Sequence, residues 1–191
     1  MSDTDTNTDR AFEETFADVL DAVPDEHVDR SRFVPGVGSQ SADVMLVGEA
    51  PGKQEVEQGE PFVGQAGDQL DRALESIGHD RGECYITNLV KVRPPENRDP
   101  YVAEIEAWRP VLDAELERVD PSVVVPLGSF AARELLDTDE TITELSGRTL
   151  SWNGRTVVPA FHPAAALYDR SKVDEIESAL SRAFSQVLEQ S

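Results

Sequence analysis

Cysteine, lysine and long apolar runs are all scarce in this 191-residue chain, and the shortages of cysteine and of apolar runs each exclude a class of protein. The single cysteine, Cys84, excludes an intramolecular disulfide framework and any metal cluster held by the chain's own cysteines alone. No apolar run approaches the roughly 18 residues that a membrane-spanning helix needs, and the acidic N-terminus is unlike a signal peptide. We therefore expect a soluble, cytoplasmic protein without a membrane partner, and a monomer by default.

The charge balance is strongly one-sided. The chain has 38 acidic and 17 basic residues, a net charge of -21, and only three lysines. One interpretation is a protein that avoids nucleic acid, because such a charge repels phosphate. The other is a halophilic protein, since repulsion is screened within about 3 Å at 1 M salt. Scattered acids with scarce lysine favour the halophilic interpretation, so bulk charge does not exclude a DNA partner.

Strand-like and helix-like segments alternate along the chain. Apolar runs predict strands near residues 43–47, 84–89 and 122–127, and Asn153-Gly154 predicts a hairpin turn between 149–152 and 156–160. Helical spacing predicts helices near residues 66–77, 102–119, 129–136 and 172–188. This alternation predicts an α/β fold, with a mostly parallel sheet covered by helices on both faces.

The N-terminal 30 residues differ from the rest. Residues 1–9 are polar and of low complexity, which predicts a disordered tail, and Phe12 to Val23 have the spacing of an amphipathic helix. We therefore divide the chain into an acidic tail and helix over residues 1–30 and one domain over residues 31–191.

The first segment with functional potential is the glycine-rich loop after the first predicted strand, residues 48–67. Gly48 allows close backbone approach, and Glu49 and Glu55 place carboxylates at the strand end, where open α/β sheets bind ligands. Such carboxylates suit general-base or electrostatic work, although both are also compatible with an ordinary acidic surface. Phe62 is either a core side chain or a stacking platform for a flat ligand.

The second segment follows the second predicted strand. Asn88 stands at the strand end, and its amide has the planar donors and acceptor that match a pyrimidine edge. Lys91, Arg93 and Arg98 form the densest basic patch of the chain, which predicts contacts with phosphates. The alternative is a set of intramolecular ion pairs.

The third segment begins at His162, at the end of the last predicted strand. Its place at the same sheet edge as Glu49 and Asn88 predicts a donor to negative charge developing on a leaving group. Taken alone, a buried structural histidine is an equal alternative.

Together these segments resemble the family 4 enzymes of the uracil-DNA glycosylase superfamily, over about Gly38 to Arg170. The matching motifs are Gly48-Glu-Ala-Pro-Gly52, Pro61-Phe-Val-Gly-Gln-Ala-Gly67, Ile86-Thr-Asn-Leu-Val-Lys-Val-Arg-Pro-Pro95 with Asn97-Arg98, and His162-Pro-Ala-Ala165. The resemblance implies a three-layer α/β/α fold around a four-stranded, mainly parallel sheet. It also implies that residues 31–191 are a catalytic domain that flips uracil out of DNA and hydrolyses its N-glycosidic bond, initiating base excision repair.

The resemblance implies a role for each motif residue. Gly48 and Phe62 would line the uracil pocket, with the Phe62 ring stacked on the base, and Asn88 would recognise its Watson–Crick edge. His162 would bind the base and stabilise its charge as it leaves, while Glu49 and Glu55 would handle the water or the sugar. The expected DNA contacts are Lys91, Arg93, Arg98, Leu167 and Arg170, with Leu167 entering the duplex. No lysine replaces a motif residue, which favours a monofunctional enzyme.

One departure from the family concerns its cofactor. Related enzymes hold a 4Fe-4S cluster with four cysteines, but Val92 and Trp108 occupy two of the aligned positions here and the N-terminal pair is absent. Cys84 matches none of them, so we expect no cluster, no other metal and no cofactor. The hypothesis is that Val92 and Trp108 replace the cluster by apolar packing. The missing cluster and the acidic charge leave open a non-catalytic DNA- or nucleotide-binding relative. A further alternative is a glycosylase for a wider range of deaminated bases.

Overall fold

The computed structural model describes residues 5–190, and side chains from residue 9 onward. Within these residues one sheet contains the strands β1 (Val37–Gly38), β2 (Val44–Gly48), β3 (Cys84–Asn88), β4 (Val123–Pro126), β5 (Leu150–Trp152) and β6 (Arg155–Val157). The α-helices are α1 (Asp5–Thr15), α2 (Ala17–Leu20), α3 (Lys53–Gln58), α4 (Gly64–Ser76), α5 (Val102–Val119), α6 (Ser129–Leu136), α7 (Ile142–Leu145), α8 (Ala165–Tyr168) and α9 (Ser171–Gln190). No helix among these residues is long and apolar enough to cross a membrane.

The sheet has the strand order β1-β3-β2-β4-β6-β5. Its four central strands, β3, β2, β4 and β6, are parallel, as expected for strands linked by helical crossovers. The outer strands β1 and β5 are antiparallel to their neighbours, so the four-stranded parallel sheet is extended by one strand at each edge. Sequence reasoning missed β1 because two residues are too few for a period-two pattern.

The layers follow from side-chain alternation along the central strand β2. Val44 and Leu46 pack into the core on one face of the sheet, with side chains of α4 and α9. Met45 and Val47 pack into the core on the other face, with side chains of α5 and α6. Helices therefore cover both faces, and the predicted α/β/α fold class is confirmed.

The N-terminal segment packs against α5 through an aromatic cluster. Phe12 lies 4.6 Å from Phe16 and 5.9 Å from Phe33 between ring centroids, and Phe33 lies 6.2 Å from Trp108. The predicted tail over residues 1–9 falls partly outside the described residues, and α1 begins at Asp5. The helix predicted from Phe12 is divided between α1 and α2, and the domain boundary at residue 30 stays a prediction.

Candidate active site

The carboxyl ends of the parallel strands bring the three predicted segments to one edge of the sheet. Gly48 at the end of β2 is in register with Asn88 at the end of β3, and the Leu89 amide donates to the Gly48 carbonyl at 2.9 Å. On the other side, Leu127 after β4 forms a parallel bridge with Ala160, two residues before His162. Gly48, Asn88 and His162 thus lie at one edge of the sheet, as the sequence predicts, with β4 between β2 and the strand that precedes His162.

Gly48 is the point where Asn88 and Phe62 meet. A β-carbon added at Gly48 would overlap the Asn88 Oδ1 atom and lie 2.6 Å from the Phe62 ring. Only a glycine therefore allows the amide and the ring to approach the same strand end together. The uracil-pocket role of Gly48 stays a prediction, and this close approach supports it.

Asn88 is buried, with only 3% of the residue exposed. Within residues 5–190 its carboxamide makes no hydrogen bond, and its polar atoms are not among the fully buried atoms that lack a partner, so they face accessible space. An amide of this kind has one acceptor and two donors available to a ligand. The observation favours a polar, planar ligand beside Gly48.

Phe62 is held in an uncommon backbone conformation, with φ of 53°, in the left-handed region that bulky residues rarely adopt. The Arg81 guanidinium donates to the Phe62 carbonyl at 2.7 Å, and that carbonyl also fills the space that a β-carbon on Gly67 would need. The ring is buried and its centroid lies 5.5 Å from that of His162. Such enforced strain is typical of functional positions, which agrees with a stacking platform.

His162 presents a defined proton donor. The Ala164 amide donates to its Nδ1 atom at 3.1 Å, so Nδ1 is the acceptor and the neutral ring carries its proton on Nε2. Burial lowers the pKa of His162 to about 4, so the ring is neutral at physiological pH. The residue can therefore donate a hydrogen bond through Nε2–H without carrying a charge.

Glu49 and His162 both line an open cavity of about 690 Å³ that continues along the start of α6. Asp99 lines the same cavity, and its side chain is hydrogen-bonded to that of Glu49. Burial, this hydrogen bond and repulsion from Asp99 raise the pKa of Glu49 to about 7. The Glu49 carboxyl group can therefore exchange a proton near neutral pH.

Glu55 has a different environment. It is the third residue of α3, and its carboxylate accepts hydrogen bonds from the backbone amides of Gly52 and Glu55 itself. Burial raises its pKa, while those amides and the nearby Arg93 oppose the increase. Glu55 is not among the residues that line the cavity of Glu49 and His162. Its interactions are those of a carboxylate that caps a helix N-terminus.

Of the predicted DNA contacts, Lys91 is wrong. Its side chain is fully buried, its Nζ atom lies 2.6 Å from Glu115 Oε2, and it donates to the Asn88 carbonyl at 2.6 Å. No phosphate can reach an ammonium group in that position. Here the alternative interpretation, an intramolecular ion pair, is the correct one.

The other predicted DNA contacts lie nearer the surface. Arg98 forms a bidentate pair with Glu104 at 2.7 and 2.9 Å and covers the Tyr101 ring, so a phosphate would have to compete with Glu104. Arg93 is partly exposed and Arg170 is exposed. Leu167 is 38% exposed at the end of α8. Their contacts with DNA stay predictions.

Comparison with known proteins agrees with this geometry. A family model described as the uracil DNA glycosylase superfamily matches residues 35–189. The chain belongs to this superfamily. It is 43% identical over 162 residues to the type-4 uracil-DNA glycosylase of Archaeoglobus fulgidus, covering 81% of each chain. It is 38% identical over 163 residues to the type-4 uracil-DNA glycosylase of Thermotoga maritima, covering 81% of this chain and 85% of that protein.

The residues of this superfamily member do not fit a 4Fe-4S cluster. The cluster needs four thiolates, and the chain has one cysteine, whose pKa burial raises to about 12. Within residues 5–190 no group of three or more histidine, cysteine or acidic side chains could hold a metal ion. Val92 and the fully buried Trp108 lie in the aromatic cluster with Phe33 instead.

Sequence reasoning missed three residues near this site: Asp99, Arg81 and Tyr168. Asp99 belongs to the Asn97-Arg98 segment but is one of 38 acidic residues, so nothing in the pattern distinguishes it. Arg81 contacts Phe62 only through the fold. Tyr168 follows Leu167 and is 91% exposed. The sequence signal that could have identified it is an aromatic residue placed between two predicted DNA contacts, Leu167 and Arg170.

Proposed function

We propose that this protein excises uracil from DNA by hydrolysis of the N-glycosidic bond and leaves an abasic site. The relatives reported above are named uracil-DNA glycosylases, and the similarity covers most of their length, which supports this substrate. The single structural observation that carries the proposal is the unpaired Asn88 carboxamide beside the Phe62 ring. A flat base between these groups would stack on the ring and pair with the amide.

Departure of the base requires a place for the electron pair of the broken bond between the sugar C1′ and the base nitrogen. The uracil leaves as an anion whose charge spreads onto its carbonyl oxygens, and the Nε2–H of neutral His162 would donate to one of them. A fixed donor of this kind stabilises charge that develops only in the transition state. The base then takes a proton from solvent.

The sugar develops positive charge as the base leaves, and a water molecule forms the new bond to C1′ and releases a proton. Glu49 suits this step better than Glu55. Glu49 shares the cavity with His162, and its pKa of about 7 lets its carboxylate accept a proton near neutral pH. Glu55 lies outside that cavity and interacts with the backbone amides at the start of α3.

DNA must open for this chemistry, because a base inside the duplex cannot reach Asn88. We propose that Leu167 enters the duplex at the vacated position while Arg93, Arg98 and Arg170 contact phosphates. None of the described residues that line the cavity is a lysine, so no amine is present to form a covalent link to the sugar. The protein would therefore release the base without cutting the strand.

High salt is the setting that we propose for this activity, in the cytoplasm and as a monomer. Glu134, Asp137 and Asp139 line the cavity beside Glu49 and Asp99, so phosphates approaching it meet negative charge. Molar salt screens that repulsion within about 3 Å. Excision is expected to rise between dilute buffer and molar KCl, opposite to the usual loss of DNA affinity with salt.

The deciding experiment measures base release from oligonucleotides that contain uracil or hypoxanthine, in dilute buffer and in molar KCl. We expect uracil release and an alkali-labile abasic site without strand cleavage. Equal release of hypoxanthine would instead support the glycosylase of wider range. DNA binding without release of any base in either salt would support the non-catalytic relative. Asn88→Ala is expected to lose selectivity for uracil, and unchanged selectivity would remove Asn88 from the site.

A further inference from the structure

The buried ion pair of Lys91 and Glu115 lies behind the proposed base-recognition residue, between β3 and α5. Both side chains have no exposed surface, and burial lowers the pKa of Lys91 while the Glu115 carboxylate opposes that change. Burying two charges is expensive, and apolar residues of similar size often stabilise a core equally well. An ion pair in this position therefore calls for a reason other than stability.

The partners of the pair point to that reason. The Lys91 ammonium donates to the backbone carbonyl of Asn88 at 2.6 Å. The other Glu115 oxygen accepts from the Tyr85 hydroxyl at 3.0 Å and from the Thr87 hydroxyl at 2.8 Å. The network thus holds β3 at Tyr85 and Thr87, which precede Asn88, and at the backbone carbonyl of Asn88 itself.

The contact between Lys91 and the Asn88 carbonyl lies where the backbone hydrogen bonds between β3 and its neighbouring strand end. The Leu89 amide still pairs with Gly48, and the Val90 amide pairs with Glu49 at the longer distance of 3.3 Å. The Asn88 carbonyl receives its donor from Lys91, three residues further along the chain. Gly36 closes the network from the other side, because a β-carbon there would overlap Glu115 and contact Tyr85.

We propose that Lys91, held by Glu115, is a positioning residue that fixes the orientation of the Asn88 side chain. This inference rests on the proposed function, since it assumes that Asn88 recognises uracil. The Asn88 carboxamide makes no hydrogen bond within residues 5–190, so the direction of this side chain depends on the backbone that carries it. Lys91 acts through that backbone and does not touch the base.

Loss of the contact between Lys91 and the Asn88 carbonyl should affect recognition of uracil more than binding of DNA. Catalytic groups need placement within about 0.5 Å, and a 1 Å displacement can lower a rate by about 100-fold. The variant Lys91→Met/Glu115→Gln removes both charges together, so neither is left buried without a partner. We expect it to fold, to bind uracil-containing DNA within about threefold of wild type, and to excise uracil about 10-fold to 100-fold more slowly. Its preference for uracil over hypoxanthine should fall as well.

Three further variants separate positioning from stability. Tyr85→Phe removes a network hydroxyl but keeps the contact between Lys91 and Asn88, and should retain wild-type selectivity. Leu112→Ala, a buried residue on the same helix as Glu115, destabilises the core without touching the network and should also retain selectivity. Glu115→Gln alone should shift selectivity in the same direction as the double variant but less, and it carries the test if the double variant does not fold.

The closing measurement does not depend on catalysis. The ¹⁵N–¹H resonances of the Asn88 side-chain amide should shift or broaden in Lys91→Met/Glu115→Gln and in Glu115→Gln, and stay in place in Tyr85→Phe and Leu112→Ala. Unchanged resonances together with wild-type selectivity in the charge variants would overturn the inference, as would equal losses in Leu112→Ala. If wild-type protein releases no base, the proposed function fails, while the resonances still decide whether Lys91 orients Asn88.

Discussion

Glu49 and Asp99 line the same cavity wall, and their side chains interact so that the Glu49 carboxyl group keeps its proton up to about pH 7. Burial is the largest cause of this raised pKa, and hydrogen bonding and repulsion from Asp99 add to it. Glu49, which titrates near neutral pH, thus shares a cavity with His162. His162 does not titrate near neutral pH, because its pKa is about 4. The pH dependence of excision should therefore report Glu49.

The first prediction is a rise in the single-turnover rate of uracil excision with pH, centred near pH 7. Below that pH Glu49 is protonated and cannot accept the proton of water, and above it the carboxylate is present. Asp99→Asn removes the repulsion and leaves an amide that can donate to Glu49, so the pKa of Glu49 falls and the rise moves to lower pH. Asp137→Asn, in the same cavity, is the control and should leave the profile in place. Coincident profiles for wild type and Asp99→Asn would contradict this account.

Lys91 and Asp99 show where sequence reasoning stops. The common edge of Gly48, Asn88 and His162 was predictable, because parallel strands end on the same side of a sheet. The environment of Lys91 was not, since its burial depends on Glu115, which lies 24 positions further along and faces inward only when α5 packs on β3. In the sequence, Lys91 and its partly exposed neighbours Arg93 and Arg98 look alike.

Other parts of the fold were hidden by their length. The two-residue strand β1 and the six-residue helix α3 are too short for a periodic pattern, and α3 lies in a segment whose glycines predict a loop. That helix is specified by local contacts: Glu55 caps its start, and Gly59 ends it with φ of 70°. Such contacts become visible only once the backbone path is known.

A second prediction concerns His162 as a donor to the departing base. His162→Ala should lower the excision rate for uracil by about 100-fold, the usual effect of removing one donor to a developing anion. The loss should be smaller for 5-fluorouracil, whose anion is more stable because fluorine withdraws electrons. Rates for both bases, measured at pH 8 with saturating protein, test this. Equal losses for the two bases would indicate that His162 only supports the structure.

A third prediction uses Gly48 as a steric probe. Gly48→Ala should lower uracil excision by at least about 10-fold, since its β-carbon would displace the Asn88 amide and the Phe62 ring by a sizeable fraction of an ångström. Gly48 does not have a left-handed backbone, so the effect is one of space and not of backbone strain. Gly82→Ala is the control, because its β-carbon would crowd only the Asp80 side chain, at 2.8 Å, and neither Asn88 nor Phe62. Similar activity of the two variants would separate Gly48 from the pocket.

A fourth prediction concerns the exposed pair Leu167 and Tyr168 at the end of α8. Replacing both with alanine should slow excision from U·A pairs more than from U·G pairs, because a mispaired base costs less to extrude from the duplex. Excision from single-stranded DNA should change least. Leu188→Ala, an exposed apolar side chain on α9, is the control for a general effect of lost surface area. An equal reduction on all three substrates would exclude a role for α8 in opening the duplex.

A fifth prediction tests the hypothesis that apolar packing around Trp108 replaces the cluster that the family resemblance implies. Trp108 is 1% exposed and contacts Phe33, which in turn contacts Phe12. Trp108→Ala should lower the free energy of unfolding by about 3–5 kcal/mol, the usual cost of emptying a large aromatic site. Trp152→Ala, at a partly buried strand edge, should cost less. Urea unfolding in molar KCl measures both, and iron analysis of anaerobically purified wild-type protein completes the test, since stoichiometric iron would mean that the aromatic cluster replaces nothing.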